Sequence, residues 1–118
     1  MKKVKVLLAT LVMALPAFSF ATGAIAVDEQ KGDEEPGYGI AVGKDGKDEA
    51  MRAALAECRK AGNKSCKSMV WFEGCGAYAS STNFYGVGFG KTLKAAEKMA
   101  LDKCGKSACE VKVSECDE

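Results

Sequence analysis

Tyr85-Gly86-Val87-Gly88-Phe89-Gly90-Lys91 lays residue for residue on Tyr38-Gly39-Ile40-Ala41-Val42-Gly43-Lys44. Downstream of each stretch the same order follows: an Ala-rich amphipathic run, a Cys at its end, a short Gly/Lys/Ser link to a second Cys, a strand-like run and a third Cys. The chain is a tandem duplication, with repeats at 22–74 and 75–118. Within each quoted stretch, period-2 alternation puts Tyr, Ile or Val, and Val or Phe on one face, and Gly and Ala on the other. A face of Gly39, Ala41 and Gly43, matched by Gly86, Gly88 and Gly90, lets another backbone come close. The helices that follow are the expected neighbours.

Those helices are read from apolar spacing. Ala50, Met51, Ala54, Leu55 and Cys58 recur at helical intervals in the first repeat, and Leu93, Ala96, Ala100, Leu101 and Cys104 in the second. Asp45 or Asp48 and Thr92 are the expected N-terminal caps, and Gly62 and Gly105 follow the last turns. Strands are expected at Gly23–Val27 and Gly76–Ser80, opening each repeat, and at Cys66–Glu73 and Cys109–Glu115, closing it. Each repeat is therefore ββαβ, and the fold class is α+β: antiparallel-rich sheet, one sheet or two abutting ones, with two helices packed by Ala against Gly.

Residues 1–21 carry Lys2, Lys3 and Lys5, an apolar run Val6–Leu15, Pro16 and a Ser19-Phe20-Ala21 ending. This is the pattern of a secretory signal peptide, too short for a stable membrane span. The remaining 22–118 is one domain. Without the leader lysines the chain holds 14 basic against 16 acidic residues, a net charge of −2. Such a balance gives no electrostatic footprint for nucleic acid or anionic lipid.

A domain this small is marginally stable from burial alone, and six cysteines supply the reinforcement. Spacing permits many pairings. The repeat ranks them, because Cys58, Cys66 and Cys75 correspond in order to Cys104, Cys109 and Cys116. Equivalent cysteines doing equivalent work gives Cys58–Cys66 and Cys104–Cys109 as local staples and leaves Cys75 with Cys116. Loop-closure entropy makes the local bridges worth roughly 2 to 3 kcal/mol each and the long one roughly 4. A zinc site has neither a CxxC pair nor a His to support it.

Gly86 to Thr92 imitates a phosphate-binding loop, but the pattern requires Gly where the chain has Tyr85. The repeat counterpart places Asp45 where a phosphate-binding hydroxyl belongs. The stretch reads as close-packing strand, with no nucleotide and no cofactor. The chain has no His, which excludes Ser-His and Cys-His nucleophiles. A hydrolase would have to use a carboxylate pair drawn from Glu73, Asp102 or Glu110. The acidic link 28–37 lacks the alternation of a calcium loop and reads as a solvated hairpin connection. Asn63-Lys64-Ser65 matches a glycosylation acceptor. In the closing strands, Val111 and Val113 alternate with polar residues, whereas Ser68, Val70 and Phe72 oppose a face carrying Met69 and Trp71. That double-sided apolar strand is the main difference between the repeats.

Gly23-Ala24-Ile25-Ala26, Tyr38-Gly39, the Ala-rich helix ending in Cys58, then Cys66, Val70-Trp71-Phe72, Cys75-Gly76-Ala77, Tyr85-Gly86 and a second Ala-rich helix with Cys104 and Cys109 carry a family resemblance. The chain resembles, from Thr22 to Cys116, the small secreted bacterial domains grouped as domain-of-unknown-function family 4189. The resemblance implies two ββαβ units and export from a bacterial cytoplasm, with some members acting on a host. It supplies no catalytic residues, because the family has no shared assigned activity. The expected function is a non-enzymatic exported protein-binding module, an inhibitor, immunity-type protein or host-directed effector, with a protein partner engaged through Met69, Trp71, Tyr78 and Phe84. A cell-envelope hydrolase using a carboxylate pair is the alternative.

Overall fold

The computed structural model describes residues 21–32 and 34–117; apart from Ala21, the expected signal peptide lies outside the described residues. The first repeat runs β1 (Thr22–Asp28), β2 (Gly37–Lys44), α1 (Lys47–Lys60) and β3 (Lys67–Phe72). The second runs β4 (Cys75–Ser81), β5 (Phe84–Gly90), α2 (Leu93–Cys104) and β6 (Glu110–Cys116). Each forms its own antiparallel sheet, ordered β2-β1-β3 and β5-β4-β6. The first strand of each repeat is therefore central, and both faces of it are covered.

One face of each sheet meets its helix. Ala24, Ala26 and Ala41 pack with Ala50, Ala54 and Cys58 of α1, and Ala77 and Ala79 with Ala96, Ala100 and Cys104 of α2. The glycines make the approach close. A Cβ on Gly39 would lie 2.6 Å from the Ala54 carbonyl oxygen, and one on Gly88 would lie 2.5 Å from the Ala100 nitrogen. No side chain fits between strand and helix at these positions. This explains a departure from the expected stripe: Leu93 and Leu101 are exposed, because a helix lying this near its sheet has room beneath it only for Ala and Cys. Gly43 also departs from expectation. Nothing lies within 4 Å of where its Cβ would be, and its φ of 72° is what requires glycine.

The other faces of the two sheets pack on each other, giving a helix–sheet–sheet–helix order. Ile25, Val27, Phe72 and Tyr78 are buried there, flanked by Tyr38, Ile40, Val42, Val70, Tyr85, Val87 and Val113. The Tyr38 and Tyr78 rings stack with centroids 4.5 Å apart. Phe72 crosses between the copies: a Cβ on either Gly23 or Gly76 would meet its ring at 2.5 Å. Those two glycines occupy equivalent positions in the repeats, and one ring fills the space above both.

The helix ends follow local chemistry. The Thr92 side chain caps α2 by accepting from the Ala95 N–H at 3.1 Å, and Gly105 ends it in the left-handed region with φ 76°. At α1 the cap position is Gly46, with no side-chain hydrogen bond, rather than Asp45 or Asp48; Asp48 instead sits in the first turn. Disulfides join Cys58 to Cys66, Cys104 to Cys109 and Cys75 to Cys116. The first two tie each helix end to its closing strand. The third joins directly opposed residues of β4 and β6.

Candidate functional site

The closing strands β3 and β6 each carry a bulge at the same place. Ile25 pairs with Val70 and Ala26 with Ser68, leaving Met69 extra; Tyr78 pairs with Val113 and Ala79 with Val111, leaving Lys112 extra. Simple alternation in β3 is thereby broken. Met69 turns with Val70 and Phe72 toward the inter-sheet core, while Trp71, opposite Ala24, lies on the α1 side. The expected face shared by Met69 and Trp71 does not exist as a flat strand surface; the two residues meet again only at the rim of a cleft.

That cleft opens where β3, the edge of one sheet, lies near β5, the edge of the other. Met51, Met69, Val70, Trp71, Phe72, Glu73, Phe89, Gly90 and Lys91 line a volume of about 650 Å³. Trp71 is 42% exposed and Phe89 46%. Two large aromatic rings left open beside two methionines form an adaptable apolar surface. Lys47 places its ammonium 5.7 Å from the centre of the Trp71 ring, holding the indole in a cation–π contact.

The duplication supplies an internal comparison. Met51 corresponds to Glu97, Trp71 to Ser114, Met69 to Lys112, Phe89 to Val42 and Phe72 to Glu115. In the second repeat the Ser114 hydroxyl donates to the Glu97 carboxylate. The second repeat therefore holds a polar pair where the first has Met and Trp.

Of the four residues expected on a partner surface, the structure brings Met69 and Trp71 to this cleft and separates the others. Tyr78 is fully buried between the sheets, donating its hydroxyl to the Pro36 carbonyl at 2.9 Å. Burial pushes its phenol far above the ordinary range. Tyr78 is a core residue, because β4 is covered on both faces. Phe84 is exposed but lines a different depression, under the Lys106 ammonium at 4.6 Å, with Glu35, Glu110 and Lys112 nearby. Sequence reading missed Met51 and Phe89. Pairing them with Glu97 and Val42 across the repeats was the signal that could have found them.

The three carboxylates considered for hydrolysis have separate surroundings. Glu73 lines the apolar cleft, Glu110 bonds Lys112 at 3.4 Å, and Asp102 bonds Lys98 at 3.1 Å along α2. The glycines of Gly86 to Thr92 face α2, whose backbone occupies the place a phosphate would need. Asn63 is buried, giving its amide N–H to the Cys58 carbonyl and receiving the Lys31 ammonium, so the glycosylation triplet is a structural joint.

The acidic link is not merely solvated. Asp28 is 2% exposed, and its carboxylate accepts from the N–H groups of Gln30, Lys64 and Ser65. Glu29 bonds Lys67 at 2.7 Å and accepts from the Tyr85 hydroxyl at 3.2 Å. Glu35 reaches Lys112 at 3.6 Å. Through Glu29, Glu35 and Pro36 the link fastens the first repeat to β4, β5 and β6 of the second, which a two-residue turn at Thr82-Asn83 could not do.

The family model for a domain of unknown function (DUF4189) matches residues 22–116, the whole of both repeats up to the last cysteine. The chain belongs to the DUF4189 family. No curated protein and no solved structure matches it. Among the described residues of this DUF4189 chain, no helix is long and apolar enough to cross a membrane.

Proposed function

We propose that this chain is an exported, disulfide-stapled module that binds a protein, as an inhibitor, immunity-type protein or host-directed effector, through the cleft of Met51, Met69, Trp71 and Phe89. One observation carries the reading: an exposed apolar lining stands on one side of a duplicated scaffold whose other copy fills the same positions with Glu97, Lys112 and Ser114. An exposed tryptophan flanked by methionines is the kind of anchor that dominates protein–protein binding energy. Export is supported by the lysine-flanked apolar run at 6–15 and by three disulfides, which persist in oxidising compartments.

A photo-crosslinking residue placed at Trp71 should trap a protein partner in the periplasm or culture medium, whereas one placed at Ser114 should trap none. Equal trapping at both positions contradicts the reading. N-terminal sequencing of the mature protein tests export, with Thr22 the expected first residue.

A further inference from the structure

Each sheet has two edges, and three of the four edge strands among the described residues carry protection. β3 has a bulge and Lys67; β6 has a bulge, Glu110, Lys112 and Glu115; β2 has a register shift opposite Thr22 and ends in Lys44. Bulges and edge charges are the devices that prevent strand addition. β5 has neither: its seven residues, Phe84-Tyr85-Gly86-Val87-Gly88-Phe89-Gly90, pair with β4 without a register break and bear no charge.

The same stretch is close to a palindrome about Val87, with Gly86 matching Gly88 and aromatic Tyr85 matching aromatic Phe89. Reversed against itself, it meets a strand of its own kind. We infer that two copies of the chain join along β5 in antiparallel register centred on Val87, making a continuous six-stranded sheet across a two-fold axis.

In that register Tyr85 of each copy lies opposite Phe89 of the other, on the face turned toward the inter-sheet core, giving two cross-strand aromatic pairs. Gly86 lies opposite Gly88, so at this pair neither strand brings a side chain of its own to the helix side, where α2 of each copy lies against these glycines. Phe84 lies opposite Gly90, a large ring facing a residue without a side chain, the arrangement in which an aromatic covers an edge glycine. The paired strands themselves oppose no like charges, because neither bears any. A two-fold interface needs one self-complementary patch, and this strand is self-complementary in sequence as well as in backbone. This assembly shares Phe89 and Gly90 of β5 with the cleft but does not use Met51, Met69 or Trp71, which belong to α1 and β3.

Sedimentation velocity on the full mature chain, from micromolar to millimolar concentration, should show a concentration-dependent monomer–dimer equilibrium. Phe84→Lys adds an edge charge at an exposed residue outside the cleft; it should weaken the dimer by at least about tenfold with an unchanged circular-dichroism spectrum. Trp71→Ala should leave the dimer constant unchanged. In a dimer mixed from Phe-labelled and Tyr-labelled copies, an intermolecular NOE should connect Phe89 to Tyr85. Within one copy these residues stand roughly 13 Å apart along the strand, so the signal cannot arise internally. A chain monomeric throughout overturns the assignment. So does a dimer that survives Phe84→Lys, lacks the Phe89–Tyr85 contact, or is lost in Trp71→Ala, which would put the interface at the cleft.

Discussion

The Ser114 hydroxyl donates to the Glu97 carboxylate at the two positions where the first repeat holds Trp71 and Met51. Because the fold carries both versions at once, exchanging them tests function apart from stability. The variant Met51→Glu/Trp71→Ser should fold with a loss of no more than about 1 kcal/mol, since Trp71 is a partly exposed rim residue. It should lose the partner trapped by the native cleft. Unfolding of the exchange variant, seen by thermal melting, would show that the apolar lining is structural.

Gly86 and Gly88 should be among the least replaceable residues of the chain. A methyl group at Gly88 would stand 2.5 Å from the Ala100 nitrogen and 2.8 Å from the Met99 Cβ, so strand and helix must separate. Gly88→Ala is expected to cost about 2 to 4 kcal/mol, and Gly43→Ala, with open space but φ of 72°, only about 1. Urea midpoints at constant slope give both values.

Acid should loosen the link between the repeats. Burial pushes the Asp28 carboxyl up, but the N–H groups of Gln30, Ser65 and Lys64, with Lys31 nearby, outweigh it and hold the group below its ordinary value of 3.8. The Glu29 carboxyl is likewise held low, chiefly by its hydrogen bond to Lys67. A depressed folded-state pKa means stability that is present above the ordinary carboxylate range and lost as pH falls through the folded value. The melting temperature should therefore be flat from neutrality to about pH 5 and decline below about pH 4, with a shallower decline in Asp28→Asn. Lys67, raised by Glu29, adds the opposite loss above the ordinary lysine range.

The disulfides should differ in worth by the loops they close. Cys75–Cys116 spans 41 residues and Cys104–Cys109 spans 5. Replacing each pair by Ser should cost about 4 and about 2 kcal/mol respectively. Denaturant titration of the two variants checks the ratio.

The elements were legible where side-chain pattern and local geometry agree. Glycine alternation at Tyr38–Gly43 and Tyr85–Gly90 marked both the strands and the helix contact, and the match of Cys58 and Cys66 with Cys104 and Cys109 led to the pairing the structure holds, although Cys75 stands at the place of Thr22 and is no counterpart of Cys116. What stayed hidden depends on layers that sequence order does not specify. Tyr78 reads as a surface aromatic until a second sheet covers it. Met69 reads as sharing a face with Trp71 until the bulge turns it inward. Asp28 reads as a solvated acid until Lys64 and Ser65, far along the chain, aim their N–H groups at it. The cleft itself was half visible, through Met69 and Trp71, because its other lip belongs to the other repeat.

Phe72 sits over both Gly23 and Gly76, and its counterpart Glu115 is exposed. The centre of the molecule is therefore a seat for one ring, shared by two otherwise matching halves. A half-length chain pairing with a twin would have to seat two rings in that space or leave it empty. Joining the halves in one polypeptide is what allows them to be unequal here, and with that freedom the same strand can carry Trp71 in one copy and Ser114 in the other.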